Sequence, residues 1–155
     1  MNATPMPLRV RLWRASVWHP DAVPTEEWKY RNLKRVWLPI YDLVAIFAGI
    51  QAIIYGSSML NRMFHPDLVD MLGAALTIAA LISLLGVSFP RLWVIEIVGK
   101  ITLVGLIAGY ITTIIIFANP PGPSLFVVAM LAFGLPLALF GLTLLGEDIK
   151  ERRAA

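Results

Sequence analysis

Polar residues are scarce and unevenly spaced along this chain, and they divide it into four apolar runs. The runs are residues 37–60, 68–89, 92–118 and 124–146. None shows the alternation of polar and apolar positions that a barrel strand requires. Each meets the roughly 20-residue length at which a helix crosses about 30 Å of hydrocarbon. In lipid the backbone must satisfy its own hydrogen bonds, so the pattern predicts an all-α membrane protein with four transmembrane helices. The connections are short and carry helix breakers: "NRMFHPD" at 61–67, Pro90-Arg91, and "NPPGPS" at 119–124. Short links make neighbouring helices antiparallel, which predicts two helical hairpins joined by a tight turn.

Three regions follow from this pattern. Residues 1–36 form a basic-aromatic leader, 37–146 a four-helix transmembrane domain, and 147–155 a charged tail. In the leader, "LRVRLWRASVWH" (8–19) mixes arginine with apolar residues, and "PTEEWKYRNLKRVW" (24–37) reads as a helix. Pro24 suits a first turn, and Glu26 and Glu27 suit its positive end. Trp28, Leu33 and Trp37 are placed to dip into the interface while basic residues meet headgroups, so the leader is predicted to be amphipathic and interfacial. Asp67 and Asp70 are expected to cap the second span. No signal-peptide pattern is visible, and the run beginning near Trp37 is expected to stay in the mature protein.

Composition sharpens the picture. Of 155 residues, 58% are hydrophobic and 15% charged, against roughly 45–50% hydrophobic in soluble domains. The surplus is expected to meet lipid. The net charge is +3, and most of the basic residues lie towards the two ends of the chain. By the rule that Lys and Arg flank spans on the inner side, both termini are predicted cytoplasmic in a cell membrane. No groove of interleaved basic and aromatic residues accompanies that charge, so nucleic acid is not an expected partner. The lipid bilayer is.

Candidate chemistry is sparse. There is no cysteine, hence no disulfide or thiolate site. His19 and His65 are isolated, which is too few ligands for a metal. No catalytic constellation or phosphate-cradling loop is present, so no enzyme activity and no cofactor are expected. What remains is intramembrane charge. Glu96 and Lys100 are four residues apart on one helix face, in the favourable order, and Asp42 enters span one at similar depth. Lys100 either snorkels to the headgroups or joins Asp42 and Glu96 in a polar cluster between spans one and three, structural or serving an ion. Small residues supply candidate helix-packing positions: Gly105 and Gly109 as a GxxxG pair, and Ala48, Ala52 and Gly56 in span one. Gln51 is a polar residue in mid-span, and Pro136 is expected to kink span four.

In its close-packed spans, tiny loops and charged tail "GEDIKERRAA" (146–155), the chain resembles small four-span phage holins. The resemblance is one of architecture over residues 37–155 and carries no residue roles. It implies a protein that accumulates, oligomerises and permeabilises the membrane. The alternatives are a non-catalytic accessory or scaffold subunit of a larger membrane complex, and a small transporter or channel protomer using Asp42, Glu96 and Lys100.

Overall fold

A computed structural model describes residues 8–20, 31–56, 61, 65–117 and 122–154, and every element among them is helical. The leader contributes α1 (Leu8–Ala15). A π-helical turn, Leu33–Trp37, leads into α2 (Leu38–Tyr55). Then come α3 (Pro66–Ser88), a single 3-10 turn at Pro90–Leu92, α4 (Trp93–Phe117) and α5 (Gly122–Ala154). Four stretches are long and apolar enough to cross a membrane: Leu33–Tyr55, Pro66–Ser88, Pro90–Phe117 and Leu125–Glu147. At about 1.5 Å per residue, the 23-residue α3 is about 35 Å long, enough to cross the hydrocarbon with some tilt. The chain is therefore a polytopic membrane protein.

Element boundaries have local causes. Gly56 sits at φ 66°, a left-handed conformation that suits glycine, and α2 stops at Tyr55 before it. Pro66 occupies the first turn of α3, where its missing N–H costs nothing. The expected cap by Asp67 and Asp70 is not what forms. The N-cap position falls on His65, with no side-chain cap bond. Asp67 lies within the first turn, 3.3 Å from His65 Nδ1, and both are exposed. Proline at the first helical position sets the start two residues earlier than an Asp67 cap would.

The leader is tied to one end of the bundle. Pro39 has no N–H, so the Arg35 carbonyl four residues back lacks its usual donor. The Trp18 indole N–H donates to it at 3.2 Å, and the local winding opens to a π turn in which the Leu38 N–H reaches Leu33 O. The Arg35 guanidinium donates to His19 O at 2.6 Å and to Pro20 O at 3.2 Å. Val17, buried, donates its N–H to Ser88 O at 2.9 Å. That bond satisfies a carbonyl at the end of α3, which has no partner within its own helix. The expected leader helix over 24–37 is seen only in part. Glu26, Glu27 and Trp28 lie outside the described residues, and 33–37 is π-helical.

α2 packs on α3, α3 on α4 and α4 on α5, with α5 touching α2 lightly. The core is small: Ala45, Ala79, Ala80 and Leu103, flanked by Ile46, Leu76 and Leu106. Glycines set how closely the backbones approach. A Cβ on Gly49 would lie 2.9 Å from Gly73 O, and one on Gly73 would lie 3.2 Å from Ala52 Cβ. A Cβ on Gly86 would be 2.5 Å from the Glu96 backbone, and one on Gly99 2.6 Å from Ser83 N. These are the close contacts by which membrane helices associate without a hydrophobic driving force. Large apolar side chains point outward, Phe133 being 87% exposed, as a lipid-facing surface requires. The tail does not separate from the last span: α5 runs on through Ala154.

Candidate functional site

The buried charged residues of the spans converge at one level of the bundle, toward the end where the leader docks. Asp42 of α2 and Lys100 of α4 are 0% exposed and Glu96 is 7% exposed. Ser83 of α3, which the sequence pattern did not single out, is also fully buried. Lys100 therefore does not snorkel to the headgroups. Its ammonium bonds to Glu96 Oε1 on its own helix.

Three neighbours enclose that pair. Gly86 lets α3 sit directly on Glu96. Gly99 brings the same helix against the Ser83 backbone, so α4 is seated at two points roughly one turn apart. On the other side Gly141 of α5 is buried, and a Cβ there would be 3.2 Å from Lys100 Nζ, Lys100 Cε and Leu38 Cδ2. The lysine stem thus runs between α4 and α5 under Leu38, with the charged head against helix backbone rather than lipid.

Asp42 faces this pair from α2. It lies near enough to Ser83, Lys100 and Glu96 to interact with each electrostatically. Even so, neither Asp42 oxygen nor Ser83 Oγ has a hydrogen-bond partner among the described residues. Asp42, Glu96 and Lys100 thus meet in one cluster, within which Lys100 bonds to Glu96 rather than to Asp42. The reason is reach. A partner one turn away on the same helix is available whatever the interhelical spacing, whereas Asp42 stands across an interface. Tyr41, beside it, also buries its hydroxyl without a partner and lies near Gly134 of α5, with a Cβ there 3.8 Å from Tyr41 Cε2.

The small residues named from sequence fall elsewhere. Ala52 packs against Gly73, Gly56 ends α2, and Ala48 is exposed. Gly105 and Gly109 are exposed, and a Cβ on either would meet nothing within 4 Å. They take no part in packing within the bundle. Gln51 is half-buried. Among the described residues no group of three His, Asp or Glu could hold a metal ion. Ser83 carried no distinctive signal in the sequence, since its separation from Gly86 is three rather than the four of the small-residue packing motif.

The fold and this buried cluster define a class, the polytopic helical membrane protein. No family model, curated protein or solved structure matches the chain.

Proposed function

We propose that this protein acts by association in the bilayer, binding further copies of itself through the outer face of α4, with holin-like permeabilisation as the outcome. The observation that carries this reading is a stripe of small residues with no internal use. Thr102, Gly105, Gly109 and Thr112 recur at helical spacing on one side of α4, and all four are exposed. The threonine hydroxyls donate to Val98 O and Ala108 O, each at 2.8 Å, so the stripe exposes no unmet donor to lipid. At about 1.5 Å per residue it is about 15 Å long, a surface on which a second helix can approach closely. α5 is the least buried of the spans, which leaves more of the bundle's surface open to neighbours.

The orientation that accompanies this reading puts both termini and the docked leader on the cytoplasmic side of a cell membrane, from the Lys and Arg asymmetry. Topology reporters placed after Ala155 and within 119–124 should report opposite sides. Equal signals from both positions would contradict it.

Replacing Gly105 and Gly109 together with Ile tests the association. The variant should insert and fold normally, since neither site has an internal neighbour. It should lose its higher oligomers in crosslinking and its toxicity on expression together. A wild type that stays monomeric and harmless at high expression overturns the reading, and an accessory subunit of a larger membrane complex then takes its place.

A further inference from the structure

We propose that the folded bundle binds one proton in its polar cluster, held on the carboxyl group of Asp42. The cluster holds two carboxylates, Asp42 and Glu96, and one ammonium, Lys100, all buried. One ammonium neutralises one carboxylate, and the geometry assigns it to Glu96. The second carboxylate is left at 0% exposure, with neither oxygen within hydrogen-bonding geometry of a donor among the described residues. An ionised carboxylate so placed loses its hydration, and the neutral Ser83 hydroxyl that faces it replaces only part of that loss.

The ligand that resolves this is a proton rather than a metal cation. Hard cations take about six to eight oxygens. Here the oxygens at hand are the Asp42 carboxylate and the Ser83 hydroxyl, the Glu96 carboxylate being engaged by Lys100, and no metal-holding group of acids and imidazoles exists among the described residues. A proton needs no coordination shell. Binding it converts the Asp42 carboxylate and one hydrogen ion to a carboxylic acid, and the cluster's charge goes from −1 to zero. It also gives Asp42 an O–H donor. Ser83 Oγ, the other orphaned atom on the facing helix, is the acceptor within reach, so one proton satisfies groups on both sides of the α2–α3 interface. The charged and titratable groups around Asp42 are Tyr41 on its own helix and Glu96 and Lys100 on α4; α3 presents Ser83, and α5 presents the Gly141 backbone behind Lys100. None of these supplies a second positive charge.

The test is infrared spectroscopy of the full chain in lipid nanodiscs in neutral buffer, with aspartate carboxyls labelled by carbon-13. The wild type should show a protonated-carboxyl C=O band that shifts with the label, which assigns it to aspartate. Asp42→Asn, which keeps the size and neutrality of the acid, should fold and lose the band. Asp70→Asn, at an exposed site, should keep it. A wild type without a label-sensitive protonated-carboxyl band overturns the proposal without recourse to any variant, as does a folded Asp42→Asn variant that retains the band.

Discussion

Lys100→Met is expected to destabilise the bundle by about 3–5 kcal/mol, the usual penalty for removing one partner of a buried ion pair. The size follows from what is left behind. Glu96 is 7% exposed and has α3 seated on it at Gly86, so no water reaches in to replace the ammonium. Methionine fills much the same space along α5 at Gly141, so lost packing contributes little and lost charge contributes most. Adding Glu96→Gln to Lys100→Met should therefore recover most of the loss. Reversible unfolding of the purified variants in bicelles measures both effects.

A similar loss is expected from Gly86→Leu, for a steric reason. A Cβ alone at this position would stand 2.5 Å from Glu96 Cα and N, and backbone cannot give way as a side chain end does. α3 and α4 would have to separate along the line that covers the ion pair. Overpacking ordinarily costs about 1–3 kcal/mol. Here about 3 kcal/mol or more is expected, because separation also uncovers Glu96. Gly105→Leu, on the open side of the α4 helix, should leave the stability of the bundle unchanged in the same assay. Equal effects at the two glycines would mean that α3 and α4 do not meet as described.

The contrast between those glycines shows what could be read from the chain. The four spans were legible, because apolar runs of this length admit few other structures. The Glu96–Lys100 register was legible too, since a separation of four fixes a shared face without knowledge of any neighbour. Which acid receives the ammonium was not, because Asp42 and Lys100 belong to different helices and sequence spacing does not report the distance between them. The packing glycines were hidden for a related reason. In a soluble helix a polar face marks the opposite side as buried. In a span both sides are apolar, so Gly49, Gly73, Gly86 and Gly99 looked no different from Gly105 and Gly109. The leader's attachment was obscured differently. The bond from Val17 N–H to Ser88 O joins backbone groups and leaves no side-chain signature. Pro39 offered the one usable cue, an Arg35 carbonyl that must find its donor elsewhere.

A double-mutant cycle on Lys100→Met and Glu96→Gln in bicelles tests most directly whether four membrane helices close around a buried ion pair. Residues that act as one unit show coupling of about 0.5–3 kcal/mol, whereas independent sites add to within about 0.5 kcal/mol. The expected result is coupling of about 2 kcal/mol or more, with the double variant more stable than Lys100→Met alone. Additive effects would contradict it: Lys100 would then reach headgroups or water, and the bundle would not be closed around this pair.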